Sequence, residues 1–274
     1  MPPDAVRRHP DVEAALRAAV VADVAWTVEG RPRLHGVLPL VGPDGPVLAL
    51  PFSELATARS LAAAGRVLVC LSEPEGAGRA WRPLAVRARA RLHEDPDGDV
   101  FTAILLEQEL LRWPPSRLLA DSVLLRREHW WWLPRLLVHL EVLEERPLAA
   151  REGPDDHLLV VAGDGDGAGD GAGDWPEAAV TGPTGAVRGA APAPGPAVLL
   201  GQELSWPDLE RWGRWSWQGR WDGEALQVEQ APESTGLPPV PGLLSRWRRH
   251  RALERSCRAG LAAARREAAG VTGP

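Results

Sequence analysis

The 274-residue sequence has no lysine, no asparagine and no tyrosine, and its isoleucine content is the single Ile104. All 31 positive side chains counted as Lys+Arg are therefore arginine, a bias expected of a high-GC genome. The absences exclude chemistry. Without lysine there is neither a Schiff base nor a lysine general base, and without tyrosine no phenolic proton donor. The bias also means that arginines are not read one by one as recognition residues. The two cysteines, Cys70 in an apolar run and Cys257 in an expected helix, are too few and too separated for a zinc site or a disulfide framework and read as buried thiols. No uncharged apolar run reaches the ~18 residues of a membrane span. Residues 1–10 are charged and proline-rich, without the apolar stretch of a secretion signal. A cytoplasmic protein with no membrane partner is expected. A formal charge of -6 argues against nucleic acid as the main partner, because phosphate binding needs a clustered positive field.

With 45% hydrophobic residues the chain can bury one ordinary core plus an appendage. Residues 12–19 carry a helical apolar period behind Asp11. Turn residues at 29–32 and 42–45 then separate strands at 23–28, 34–41 and 47–50, an expected meander. Ser53 with Glu54 is placed to cap a helix that buries Leu55, Ala58, Leu61 and Ala62 and stops at Gly65. A strand at 67–71 follows. Residues 81–93 alternate, with Val86, Ala88, Ala90 and Leu92 on one face and Arg87, Arg89 and Arg91 on the other, which predicts a half-exposed strand. A helix at 100–113 behind Asp99, a short helix from Ser116 and a last strand at 130–142 complete this unit.

Composition changes after Pro147. Residues 163–174 are Gly, Asp and Ala, and 190–196 are Pro/Ala-rich, so both read as linkers. Strand-like pieces at 157–162, 197–200 and 214–221 lead to a basic helix at 243–268, whose Leu244, Trp247 and Leu261 are expected to turn inward. Trp215, Trp217 and Trp221 share one parity, and that face is expected to pack on the first unit. Residues 67–95 are echoed in layout by 198–222, a faint internal repeat.

Three stretches carry a resemblance: 24–40, with its paired strands around Glu29-Gly30-Arg31-Pro32; 48–61, running from strand into helix; and 86–92 with alternating arginine. In order and spacing they resemble the pyridoxamine 5′-phosphate oxidase-like family of FMN-binding split β-barrels, over about half the chain. The run 126–135, with Trp130-Trp131-Trp132, is similar to the closing strand of actinobacterial members. The resemblance implies a mainly β, α+β protein: a split-barrel domain over 1–150, a Gly/Asp/Pro/Ala-rich region with at most short strands over 151–196, and a C-terminal region over 197–274 that is a candidate degenerate repeat. It also implies a homodimer, and an oxidoreductase in which FMN carries the reaction on a small molecule. The alternatives are deazaflavin, haem, or a cofactor-free member acting as a ligand-binding or sensing module.

A helix N-terminus with a nearby arginine is a natural phosphate seat. The resemblance puts that seat at Ser53, Thr57, Arg59 and Ser60, with Arg33, His35 and Trp81 nearer the flavin ring. The family's Lys-x-Arg-Asn-Leu pattern reads Thr57-Ala58-Arg59-Ser60-Leu61 here, so the lysine is missing, and Arg33 or Arg87 is the substitute grip for the phosphate. No histidine pair has metal-ligand spacing, and no nucleophile elbow or Walker loop is present. No catalytic side chain is assigned.

Overall fold

A computed structural model describes residues 9–120, 130–163 and 175–271. The chain is mainly antiparallel β-sheet with helices, an α+β protein. After α1 (Pro10–Ala18) come β1 (Ala22–Val28), β2 (Arg31–Val37), β3 (Pro39–Gly42) and β4 (Gly45–Pro51). Then follow α2 (Leu55–Ala64), β5 (Arg66–Leu71), β6 (Leu84–Asp95), α3 (Leu106–Arg112), α4 (Pro114–Ala120) and β7 (Arg135–Pro147). These seven strands form one sheet in the order β2-β1-β5-β6-β7-β4-β3, with no pairing among the described residues that closes it.

Glu29 and Gly30, at φ +51° and +69°, make the two-residue turn that sets the β1–β2 register, with Val28 opposite Arg31. The expected three-strand meander is broken at Leu38. β2 pairs with β1, whereas β3 and β4 pair with each other and β4 continues onto β7. Pro39, which has no N–H for a ladder, opens the new strand. Gly65, at φ +68°, ends α2 by returning its N–H to the Leu61 carbonyl, as expected.

Alternation divides the residues of this sheet between two apolar layers. Val24, Val69, Val86 and Val138 meet Leu16 of α1 and Leu61 of α2 in the main core. Leu40, Val47 and Leu137 face the opposite way, against Phe101, Leu105, Trp131 and Trp132. The tryptophans lie in a 3-10 turn (Trp130–Trp132) ahead of Pro134 rather than in the strand, which starts at Arg135. Trp131 and Trp132 are buried core, with the buried Arg135 guanidinium stacked on Trp132 at 4.6 Å. Asp95, not Asp99, caps the helical stretch that begins with a π-turn (Phe101–Leu105): its carboxylate accepts from Asp99 N and Phe101 N at 3.1 and 2.9 Å.

The second sheet has six strands: β8 (His157–Val161), β9 (Glu177–Thr181), β10 (Val187–Arg188), β11 (Gly195–Leu204), β12 (Trp212–Trp221) and β13 (Leu226–Gln230), ordered β10-β9-β8-β11-β12-β13. Leu158, Val160, Val180 and Leu200 pack on Ala25, Leu68, Cys70 and Ala85 of the first sheet, so β1, β5 and β6 are covered on both faces there. Four strands of each sheet share one antiparallel order, β2-β1-β5-β6 in the first and β9-β8-β11-β12 in the second.

Trp215, Trp217 and Trp221 share one face as expected, but that face looks away from the first sheet rather than onto it. Trp221 packs with Leu159, Val161 and Ala197 on the face turned away from the first sheet, and Trp212 and Arg214 point toward it. The terminal helix α5 (Leu243–Val271) rests on the first sheet through Cys257, Leu261 and Ala264, but Leu244 and Trp247 are 59% and 56% exposed, so only the second half of the expected inward stripe is covered.

Candidate functional site

The strand-to-helix passage begins with Phe52 buried and a 3-10 turn, Phe52–Glu54, ahead of α2. Ser53 lies inside that turn, and no side chain caps the helix. Each of the other expected phosphate contacts is engaged within the chain. Thr57 Oγ1 donates to Glu54 Oε2 at 3.1 Å. Ser60 Oγ accepts from Trp26 Nε1 at 2.9 Å, which ties α2 to β1. Arg59 reaches Glu94 Oε1 of β6 at 3.0 Å and Glu267 Oε2 of α5 at 2.5 Å. The hydrogen bond to Glu94, and after it that to Glu267, holds the guanidinium above its ordinary pKa against burial. Glu94 and Glu267 thus set two carboxylates on one guanidinium, with Glu54 bound to Thr57 on the same helix end. α5 lies across the Phe52–Glu54 turn, with Gly260 so close to the Phe52 carbonyl that no Cβ would fit. As built, the head of α2 does not fit an FMN phosphate: its cation is occupied, the local charge is negative, and a helix covers the turn.

Arg33 and His35 lie on β2 opposite Trp26 and Val24, on the face turned to the main core and α2, whereas Leu34 and Gly36 face the second sheet. Arg33 lines a cavity of about 230 Å³ with Leu34, Leu200 and Arg214. Beside His35, the backbone of Gly36 is overlain by the Trp212 indole and the Arg214 guanidinium, in space a Cβ would need. Burial lowers the pKa of His35; the Glu54 carboxylate opposes the shift and Arg214 adds to it. Trp81 is set apart from these. Its loop is tied to the end of α1 by Gly78 N–H to the Ala18 carbonyl at 2.8 Å, and its ring packs on the main core. The structure therefore brings Ser53, Thr57, Arg59 and Ser60 together, sets Arg33 and His35 on the α2 face of β2, and leaves Trp81 elsewhere.

Sequence reasoning missed the polar junction between the sheets. Arg214 bonds to the buried Asp23 at the start of β1, whose other oxygen accepts from Gln202 Nε2 at 3.4 Å. Gln202 Oε1 in turn accepts from Trp212 Nε1 at 3.2 Å, and the Arg214 guanidinium sits 5.1 Å from the Trp212 ring. Burial pushes the Asp23 carboxyl above its usual pKa, with Arg214 and Arg151 pulling the other way. Arg151 is itself buried and binds Glu73 at 3.4 Å and the carbonyls of Asp156 and Gln202. Asp23 and Arg214 are 191 residues apart, and no local pattern pairs them.

The arginine stripe of β6 divides. Arg89 and Arg91 are exposed, while Arg87 is buried beneath the second sheet. A cleft of about 410 Å³ opens there, lined by Arg87, Arg146 and Glu177 among Leu68, Ala85, Pro147 and the chain at 190–192. A register shift in the β6–β7 ladder falls between Arg87 and Ala88 and leaves Leu143 of β7 without an opposite residue, while Arg87 keeps the β6 alternation and faces the way of Ala85.

Neither a protein-family model nor a curated protein matches the chain. Among solved structures it is similar, at 20% identity and TM-score 0.33, to a protein of unknown function from Agrobacterium tumefaciens, over 53% of this chain and 59% of that one. A heme-binding protein from Mycobacterium smegmatis gives 20% identity and TM-score 0.33 over 54% and 57% of the two chains. A FAD-binding protein from Mesorhizobium loti gives 20% and 0.27 over 51% and 90%. The chain spans less than two thirds of the length of the first two. Identity and TM-scores this low bear on neither ligand nor activity.

Proposed function

We propose that this chain is a split-barrel protein of the flavin-binding type whose flavin seat is filled by its own side chains, so that it serves as a ligand-binding module and not as an FMN oxidoreductase. Residues 1–150 form the barrel unit in this proposal, and the second sheet is a degenerate repeat of it. The observation that carries the proposal is the state of Arg59, the guanidinium expected to grip phosphate, held between Glu94 and Glu267 under α5. Trp212 and Arg214 fill the space over Gly36 on the other face of β2, so the close backbone approach that the resemblance expects there is taken up as well. The common strand order of the two sheets supports the repeat.

The oxidoreductase alternative requires α5 to leave Phe52 and both Arg59 ion pairs to open before a phosphate could bind. The purified protein separates the two readings. A colourless solution, with no flavin or Soret absorbance and no rise in thermal midpoint on adding FMN or haem, is the expected result. Yellow protein that releases FMN on heating, or a midpoint that climbs with FMN, overturns the proposal.

A further inference from the structure

Among the described residues, the cleft between the sheets brings a buried cation to a wall of apolar side chains joined by Arg146 and Glu177. The layer around it is Leu68, Ala85, Pro147, Pro176, Ala178 and Pro192, and Arg87 interrupts that layer with a side chain only 9% exposed. A guanidinium carries five N–H donors. Arg87 spends one on Glu144 Oε2 at 3.2 Å and holds Glu177 Oε1 at 3.9 Å, beyond hydrogen-bond reach, and its Nε has no partner among the described residues. One side of the guanidinium is occupied by the Trp175 ring, 5.9 Å away. Arg146 adds a second guanidinium to the lining and shares Glu144, at 3.0 Å. A buried donor left unmade is costly, and a cavity beside it offers a place for an acceptor.

We infer that this cleft is a binding site for a small organic carboxylate with a compact apolar body, its head on Arg87 and Arg146. The volume lies within the usual range for small-ligand pockets, ~300–1,000 Å³. The planar carboxylate matches the guanidinium fork. Two arginines and two glutamates leave the surroundings neutral overall, which favours a monoanion over a dianionic phosphate. The half-exposed Glu144, which bridges both arginines, is the group a ligand carboxylate would displace toward solvent.

The inference rests on the ligand-module reading but is tested without flavin, so the two fail separately: FMN uptake sinks the reading, whereas a colourless protein indifferent to carboxylates sinks the inference alone. The probes are benzoate and hexanoate, with benzyl alcohol and inorganic phosphate as controls, titrated into the full chain by calorimetry and thermal shift. Both carboxylates are expected to bind and raise the midpoint, and the controls are not. Arg87→Met should weaken benzoate at least tenfold. Because that variant alters a buried side chain, Ala191→Trp, on the exposed loop at the cleft mouth, provides the second test by filling the cavity with Arg87 intact. It should abolish binding, whereas Arg91→Met, exposed on the same strand, should leave it unchanged. Failure of both carboxylates to bind, or undiminished binding in both R87M and A191W, overturns the inference.

Discussion

The junction between the sheets can be tested by removing one charge. Arg214→Met keeps the length of the side chain and leaves Asp23 buried with Gln202 at 3.4 Å and the more distant Arg151. Breaking one side of a buried ion pair costs about 3–5 kcal/mol because the partner charge is stranded. The Arg214 side chain is 22% exposed and Gln202 remains, so the lower end applies, ~3 kcal/mol. At roughly 2–4 °C per kcal/mol for a chain of this size, the thermal midpoint should fall by about 6–12 °C near neutral pH. The pH dependence has a definite sign. Burial already raises the folded-state pKa of Asp23 above the unfolded value, and losing Arg214 raises it further. The folded variant then binds a proton that the unfolded chain does not, so its deficit against wild type shrinks as pH falls through that folded pKa. Paired melts of wild type and R214M near pH 7.5 and near pH 5, followed by circular dichroism, measure this. Asp23→Asn in the R214M background removes the stranded charge and should recover most of the loss. A deficit under ~1 kcal/mol, one that does not shrink on acidification, or a double variant no better than the single would each refute the argument.

Gly260→Val should lift α5 off Phe52, lowering stability by about 1–3 kcal/mol and exposing α5 to limited proteolysis; an unchanged midpoint and cleavage pattern would show that the contact is not tight. Glu267→Gln, by contrast, removes a partner that is 59% exposed and should cost less than ~1 kcal/mol in the same melts. His35, His139 and His157 are all held below the ordinary histidine pKa, first by burial. Their contribution to stability is complete above the unfolded-state value near 6.5 and is lost as pH falls below it, because the unfolded chain takes up protons first; thermal melts from pH ~8 to ~5 should show that decline. Cys70 and Cys257 are both buried, and burial pushes the Cys70 thiol well up, so Ellman's reagent should find neither until the chain unfolds.

Local features were legible where one short segment decides them. The Glu29-Gly30 turn, the end of α2 at Gly65 and the burial of both cysteines all follow from residue type and spacing. The break at Leu38 was not legible, because 34–41 reads as one strand and only the placement of β4 between β7 and β3 splits its second half off as β3. Parity said that Trp215, Trp217 and Trp221 share a face but could not say which way the face looks. Bulk suggested inward, yet the contact between sheets is made by small and branched residues, Ala25, Ala85, Val160 and Leu200, that allow close approach. The candidate site was legible in type and not in state. Ser53, Thr57, Arg59 and Ser60 do gather at one helix, but the carboxylates that occupy Arg59 come from 35 residues onward and from the last helix.

The arrangement of the two sheets connects these facts. In the first, the chain between β2 and β5 builds β3, β4 and α2, and so supplies a helix end that could face an anion. In the second, the corresponding stretch between β9 and β11, residues 182–194, holds only the two-residue β10 and no helix, so that half brings no helix end to face an anion. What it brings instead is a flat face, applied to the side of β1, β5 and β6 that would otherwise be open. Where the two faces are apolar they close on each other through Leu68, Cys70, Leu158 and Leu200. At the β1–β2 end, Asp23 draws in Arg214, and Trp212 follows over Gly36. At the β6–β7 end, the alternation of β6 puts Arg87 on the face of Ala85 and so into the gap, but the carboxylates there only partly satisfy it and the sheets stay apart. One end of the sheet junction is therefore sealed by a matched charge and the other held open by an unmatched one, which makes the Arg87 end the place to look for a ligand.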